Sequence, residues 1–391
     1  MKFIKIIVSI AIAAYLPIAL ICIFLCIFMI GIAETTGTRV FSLALIILLP
    51  LPFIIWISIY YSKKKYWKIS SLASPLLSFF LLIICYSITP KGITSTDSEI
   101  QSIFLTGQGY QRSSIANLVP EIDQFKFGSY MVPLVDPFIN IEKSQRLRKL
   151  FLQVYREMRT SNDFKSVGSV MNYAYKDLLT NQRPTNHFYL YIPPNARGEN
   201  VPLVVFLHGS GGNFKGYMWN WRKFAIANNC VVIAPSFGCG NWDNQGSKLL
   251  VQNAIDYCES NSTFKISKRY LIGLSNGGIG IHKLGVEMKN RFHGLALISP
   301  VMHSNTHSQS ELIEAWKSRP ILIIHGSNDL RITTNYIKRK SSQLKYGGIN
   351  LQVNTIKDED HFLFFSAWKE TKFILAKWMT EINVDSFKRK K

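Results

Sequence analysis

Gly273-Leu274-Ser275-Asn276-Gly277-Gly278 directly follows Arg269-Tyr270-Leu271-Ile272, a short apolar run that reads as a buried strand, and directly precedes Ile279-Gly280-Ile281-His282-Lys283-Leu284, which reads as the opening of a helix. A serine between small residues on such a turn has a mechanical meaning. The chain reverses sharply, the flanking positions leave no room for side chains, and the serine is pushed outward at the carboxyl edge of a sheet. The backbone NH of Asn276 then faces the place where charge would build on an attacked carbonyl oxygen. Alone, the pattern also fits an ordinary glycine-rich turn, so its neighbours decide the reading.

Upstream, Val204-Val205-Phe206-Leu207-His208-Gly209-Ser210-Gly211-Gly212 is an apolar strand running into a glycine-rich loop. Backbone donors approach a developing oxyanion closely where side chains are absent, and one such donor contributes about 3–4 kcal/mol of transition-state stabilisation. Ser210 and Gly211 are the NH donors expected beside Asn276. A nucleotide-phosphate cradle is the competing reading, but no Gly-Lys-Ser/Thr follows the glycines and the spacing fits no dinucleotide fingerprint. Downstream, Pro320 to Ile324 reads as a strand ending in a turn that carries Asp329. Leu351 to Ile356 reads as another, followed by Lys357-Asp358-Glu359-Asp360-His361-Phe362. The candidate catalytic set is therefore Ser275, Asp329 and His361. The gaps between them hold strand–helix units, so all three can end at one sheet edge. Each has a plainer alternative: Asp329 as a turn residue or helix cap, His361 as a surface loop histidine, and Asp358 or Asp360 as the acid instead.

From about Asn186 to Trp378, roughly half of the chain, the sequence resembles α/β-hydrolases of the esterase group. Gly-Leu-Ser-Asn-Gly-Gly, with Leu-His-Gly-Ser-Gly-Gly before it, is similar to poly(3-hydroxybutyrate) depolymerase-like, feruloyl-esterase-like and dienelactone-hydrolase-like proteins. The resemblance implies the fold and acyl-transfer chemistry; with the candidate residues, the expected function is a serine hydrolase that cleaves carboxylic esters through an acyl-enzyme, with no metal or organic cofactor. It does not imply a substrate, because this fold hosts many. An acyltransferase or serine peptidase on the same fold, or a non-catalytic hydrolase-like binding module, are the alternatives.

Strands are expected at His187–Ile192, Leu203–Leu207, Val231–Ala234, Tyr270–Ile272, Leu295–Ile298, Ile321–Ile324 and Gln352–Thr355, with helical patterns such as Lys248–Cys258 and Glu311–Ser318 between them. The alternation predicts an α/β fold with a mostly parallel sheet covered on both faces. Ahead of it lie three apolar stretches, Ile6 to Ala33, Val40 to Tyr61 and Leu72 to Ile88, each of membrane-crossing length. Lys2 and Lys5 precede the first, Glu34 and Arg39 separate the first two, and Lys63, Lys64, Lys65 and Lys68 separate the last two. Basic loops stay cytoplasmic, which places the catalytic half on the extracytoplasmic side; were the short third stretch not to insert, it would face the cytoplasm. The expected organisation is a membrane anchor over 1–90, a linker and helical extension or cap over 91–182, and the catalytic domain over 183–391. Within the extension, Lys91 to Ser98 reads as linker and Leu118 to Asn140 as irregular, broken by Pro120, Pro133 and Pro137. Ile141 to Thr160 and Val167 to Leu179 read as amphipathic helices, with Met171, Tyr173 and Tyr175 as core rather than channel lining.

The net charge is +21, and Lys388 to Lys391 close the chain with a basic run. The basic residues are scattered and no nucleic-acid motif is present, so attraction to anionic lipid headgroups suits an anchored protein better. Partners are read as a small-molecule or lipid ester and a membrane. Cys239 and Cys258 are the candidates for a disulfide in an oxidising compartment. His303 and His307 lack a third ligand for a metal. Trp219, Trp221, Phe237 and Trp242 are read as either acyl-pocket or core residues, and Asn261-Ser262-Thr263 matches a glycosylation sequon.

Overall fold

The computed structural model describes residues 2–61, 65–92, 98–105, 109–182, 186–260 and 263–388. Lys63 and Lys64, most of the polar linker, Arg183 at the expected domain boundary, Asn261 and Ser262 of the sequon, and the tail beyond Lys388 lie outside the described residues. The chain forms two compact units, one of residues 1–91 and 111–148, the other of residues 92–110 and 149–391.

The first unit contains α1 (Lys2–Ile32), α2 (Thr36–Leu48), α3 (Leu51–Tyr60), α4 (Lys65–Ile88), α5 (Ile115–Leu118), α6 (Glu121–Val135) and the start of α7 (Ile141–Met158). Three helical stretches, Phe3–Ile32, Thr36–Tyr60 and Lys65–Ile88, are long and apolar enough to cross a membrane. Their outward side chains are apolar too, with Ile10, Leu20, Phe24, Leu72 and Leu76 exposed. A helix apolar all round is one suited to a large core or a membrane. The second stretch breaks at Leu49-Pro50, and the Tyr15 hydroxyl donates to the Leu49 carbonyl at 2.7 Å. The third begins at Lys65 rather than Leu72; lysine is a good helix former, so the helix extends past the point where hydropathy alone stops.

Residues 121–135 are helical, against the expectation of an irregular segment. Pro120 sits at the N-cap, where a missing NH costs nothing. Pro133 lies in the last turn, and the carbonyl its absent NH leaves open, that of Ser129, accepts the Ser144 hydroxyl instead. The first turn of α6 is tied to the α1–α2 loop. Buried Asp123 accepts from the Glu34 NH at 2.5 Å, the Thr35 hydroxyl at 2.5 Å and the Thr38 hydroxyl at 2.6 Å, while Lys126 pairs with Glu34 at 2.5 Å.

The second unit is built on an eight-stranded sheet among the described residues: β1 (Ile100–Phe104), β2 (His187–Tyr191), β3 (Asn200–Leu207), β4 (Val231–Pro235), β5 (Lys265–Leu274), β6 (Gly294–Ile298), β7 (Pro320–Gly326) and β8 (Asn350–Ile356). The order is β1-β2-β4-β3-β5-β6-β7-β8. The β1–β2 and β2–β4 pairs are antiparallel and the rest parallel. The α/β class and all seven expected strands are present; β1 is an addition. Helices α8 (Asn162–Ser166), α9 (Met171–Thr180), α10 (Lys215–Asn228), α11 (Ser247–Glu259), α12 (Gly277–Glu287), α13 (Gln309–Trp316), α14 (Thr334–Tyr346), α15 (Leu363–Ser366) and α16 (Trp368–Lys388) complete the unit. Central strands are buried on both faces, which is why they read as unbroken apolar runs rather than alternating ones. Trp221, Phe237 and Trp242 are fully buried and Trp219 nearly so, which assigns these aromatics to the core. Cys239 and Cys258 do not pair.

Candidate active site

β5 ends at Leu274 and α12 begins at Gly277, so Ser275 occupies the turn between a central strand and a helix. Its φ is +52°, a left-handed conformation that costs an L-residue about 1–2 kcal/mol. The strain is held by backbone bonds on both sides: the Ser275 NH donates to the Ile298 carbonyl at 2.9 Å, and the Ser275 carbonyl accepts from Gly278 and Val301 at 2.8 and 3.0 Å. The flanking glycines are dictated by space. A Cβ on Gly277 would lie 2.2 Å from the Leu207 carbonyl oxygen, and one on Gly273 would lie 2.4 Å from that of Gly277. Gly277→Ala should therefore displace backbone rather than a side chain, at a cost on the order of 4 kcal/mol or more. A large fall in the melting temperature of the purified protein is the expected reading.

Asp329 follows β7 and His361 follows β8, at the same carboxyl edge as Ser275. The Ser275 Oγ lies 3.0 Å from His361 Nε2, and His361 Nδ1 lies 2.8 Å from Asp329 Oδ2. Asp329 is buried, and its other oxygen accepts the NH groups of Arg331 and Ile332, both at 2.9 Å. Asp358 and Asp360 do not take this place: the Asp360 carboxylate caps the Phe362 NH at 2.9 Å, and Asp358 turns the chain at φ +60°. β5 and β8 are three strand positions apart, about 14 Å at the usual spacing, so the loop carrying His361 must fold back over β7. Gly326 makes room for it, since a Cβ there would lie 2.1 Å from the Glu359 carbonyl oxygen. A serine on a strained strand-to-helix turn, with acid and histidine following in that chain order beside a sheet of this strand order, is the decisive combination. The fold is that of the α/β-hydrolases.

No protein-family model matches the chain, and no curated protein matches it. Among solved structures it is similar to Est1E from Butyrivibrio proteoclasticus (16% identity over 51% of this chain and 94% of that one, TM-score 0.42). It is also similar to an S-formylglutathione hydrolase from Agrobacterium tumefaciens (18% identity, 49% and 88%, TM-score 0.41) and to FphF, a fluorophosphonate-binding serine hydrolase of Staphylococcus aureus (14% identity, 49% and 92%, TM-score 0.38).

The loop after β3 runs beside the serine turn, because β3 and β5 are neighbours in the sheet. A Cβ on Gly209 would lie 3.1 Å from that of Ser275. Its conformation is held by residues whose roles the sequence did not reveal. His208 is fully buried; its Nδ1–H donates to the Gly209 carbonyl at 2.8 Å, and its Nε2 accepts from the Phe237 NH at 3.1 Å. The Trp242 indole NH donates to the His208 carbonyl at 2.9 Å. At the other end of the loop, the Asn213 amide donates to the Ala234 carbonyl at 2.7 Å and to the Ser236 hydroxyl at 3.0 Å. His325-Gly326 repeats the device after β7: Nδ1–H faces the Gly326 carbonyl at 3.2 Å and Nε2 the Thr355 hydroxyl at 2.9 Å. An aromatic cluster joins the start of α10 to α15, with Phe214 and Tyr217 stacked at 3.9 Å between ring centres and Phe365 within 6.0 Å of both. From α9, Asp177 accepts the Cys239 NH at 2.8 Å and the Ala174 carbonyl accepts the Cys239 thiol at 3.4 Å, which sets that helix against the loop following β4. Met171 and Tyr173 are buried there and Tyr175 is half-buried. His307 is engaged by Glu287 and Glu311 at 3.2 and 3.0 Å.

Burial pushes the His208 imidazole down to about 4 from its ordinary 6.5. The neutral form is the one the fold requires, since a proton on Nε2 would face the Phe237 NH donor. The folded value lies below the unfolded one, so the unfolded chain binds the proton first as pH falls. Stability is complete above pH 6.5 and declines towards pH 4, by about 3 kcal/mol from this residue. Burial also lowers His325, which adds in the same direction. Thermal melts across that interval should show the loss; a flat profile would contradict it.

Proposed function

We propose that this chain is a membrane-anchored serine hydrolase that cleaves carboxylic esters. Ser275 Oγ attacks the ester carbonyl while His361 Nε2 takes its proton. Asp329 holds the imidazole with its proton on Nδ1 and stabilises the imidazolium. The oxyanion is bound by the NH groups of Asn276 and of the Ser210–Gly211 loop. Collapse of the tetrahedral intermediate breaks the C–O bond; the leaving alcohol takes the proton from His361 and the acyl group stays on Ser275. Water, deprotonated by His361, then attacks the acyl-enzyme and releases the carboxylic acid, returning the proton to Ser275. The observation that carries the reading is the strained Ser275 with its Oγ 3.0 Å from a histidine that an aspartate holds at 2.8 Å. The substrate is a small-molecule or lipid ester. In this reading residues 183–391 carry the chemistry, 91–182 supply β1 and the supporting helices, and 1–90 form the anchor. The test is hydrolysis of a nitrophenyl-ester series, acetyl to palmitoyl, by the full-length protein. Turnover with a defined chain-length optimum is expected; a folded protein that neither turns over an ester nor accepts a fluorophosphonate would be a binding module instead.

The anchor is read as three spans with the catalytic unit outside. Parity supports it. The α1–α2 loop and the first turn of α6 are hydrogen-bonded through Asp123, so they share one membrane face, as they would if both intervening stretches cross. At the other end, Lys5 Nζ lies 4.2 Å from the Tyr61 ring centre, as fits an N-terminus on the face of the second loop. A reporter fused after Lys391 should be active only outside the cytoplasm; activity only inside would overturn the orientation.

A further inference from the structure

The α6–α7 turn presents exposed apolar side chains. Leu134 is 78%, Val135 80% and Ile141 69% exposed, and Phe138 is exposed as well. These residues belong to the same compact unit as α1, and the contacts between α6 and α1 fix a direction. Asp123 and Lys126 meet Glu34, just past the end of α1. Phe127 and Tyr130 meet Phe28, inside it, at 6.1 and 5.4 Å between ring centres. Going forward along α6 is therefore going back down α1, towards its middle.

The depth follows from helix geometry. α1 has 31 residues, about 46 Å at 1.5 Å per residue, against about 30 Å of hydrocarbon. With Lys2 and Lys5 at the inner face, the outer turns of α1 from about Phe28 emerge into the headgroup layer. Val135 lies five residues beyond Tyr130, roughly 7 Å deeper. The run Phe127 to Val135 carries no charge; the turn itself holds Asp136, whose carboxylate accepts the Phe138 NH at 3.0 Å, and Glu142 lies in the first turn of α7, whereas Lys126 precedes the run and Lys143, Arg146, Arg148 and Lys149 follow the turn. α7 returns antiparallel beside α6: Ser144 bonds the Ser129 carbonyl, and the Arg148 guanidinium lies 4.0 Å from the Tyr130 ring centre. Four apolar side chains at a tip whose one carboxylate, Asp136, caps its own turn, with a predominantly basic collar behind them, fit an interfacial element buried about 5–10 Å into the headgroup–acyl boundary.

We propose that the α6–α7 hairpin is a second, non-spanning membrane anchor: Leu134, Val135, Phe138 and Ile141 insert into the leaflet reached by the outer end of α1, with Lys143, Arg146 and Arg148 at the level of the lipid phosphates. The inference rests on α1 spanning the bilayer, and the test separates the two. Single cysteines carrying an environment-sensitive fluorophore are placed at Val135, at Phe24 on the exposed face of α1, and at Tyr346, which is 97% exposed in the other unit. The full-length protein is reconstituted in phosphatidylcholine–phosphatidylglycerol nanodiscs. The expected result is quenching of the Val135 and Phe24 labels by shallow spin-labelled lipids, several-fold stronger than for Tyr346, with iodide quenching only the last. A Phe24 label quenched by lipid beside a Val135 label quenched by iodide overturns the hairpin alone. A Val135 label shielded from both quenchers overturns it in favour of a protein partner. A Phe24 label open to iodide overturns the span on which it rests. Where labelling at Val135 unfolds the protein, Leu134 provides a second site read in the same way.

Discussion

Ser275→Ala is expected to remove ester hydrolysis by a factor on the order of 10⁶ in kcat, the scale seen when the nucleophile of a serine triad is deleted, and to abolish labelling by a fluorophosphonate. A residual rate on the order of 10³–10⁴ above water is compatible with this, because bound substrate and oxyanion donors still act without the nucleophile. The companion variant is Ser275→Gly. A residue at φ +52° is strained for alanine as for serine and relaxed for glycine, so the glycine variant should be equally inactive yet melt no lower than the parent. Loss of activity with undiminished stability is what separates a reacting serine from a structural one. An Ala variant that kept its turnover would end the serine-hydrolase reading whatever the rest of the geometry.

The reason this serine was readable from sequence is the reason it is strained. The turn needs glycines at 273 and 277 because carbonyl oxygens occupy the space a Cβ would fill, and that requirement is written in residue identities within five positions. Central strands were readable because burial on both faces leaves continuous apolar runs such as Ile321 to Ile324. What the sequence concealed depends on partners distant along the chain. β1 is five residues long and is a strand because Ile100 to Phe104 pair with Tyr191 to His187, more than eighty positions away. α6 was hidden by Pro133, whose cost is offset by a hydroxyl from Ser144 on the next helix. His208 was visible beside the glycines, but not the Phe237 NH that makes its neutral form part of the loop. Asp329 was the acid chosen from sequence, with Asp358 and Asp360 left as alternatives; which of them lies beside His361 depends on the fold-back over Gly326, which spacing along the chain does not encode.

Asp329→Asn should lower kcat by about 10⁴ while leaving KM and the melting temperature little changed. The size of the effect follows from hydrogen-bond direction. In the parent, Asp329 Oδ1 accepts two backbone NH groups, from Arg331 and Ile332, and Oδ2 accepts the proton of His361 Nδ1. An asparagine has one acceptor and one donor at these places. Turning its NH2 towards Arg331 and Ile332 would set donors against two NH groups in a buried site, so the amide oxygen stays there. The NH2 then faces His361 Nδ1, which must accept it, and the imidazole carries its proton on Nε2 instead. That nitrogen no longer accepts from Ser275 Oγ, 3.0 Å away, and the serine loses its base without any atom having moved far. The result to measure is kcat and KM for the best ester of the series, with melting as a control on folding. A variant within tenfold of the parent in kcat would reduce Asp329 to a residue that shapes the turn, and the acid would have to be sought elsewhere.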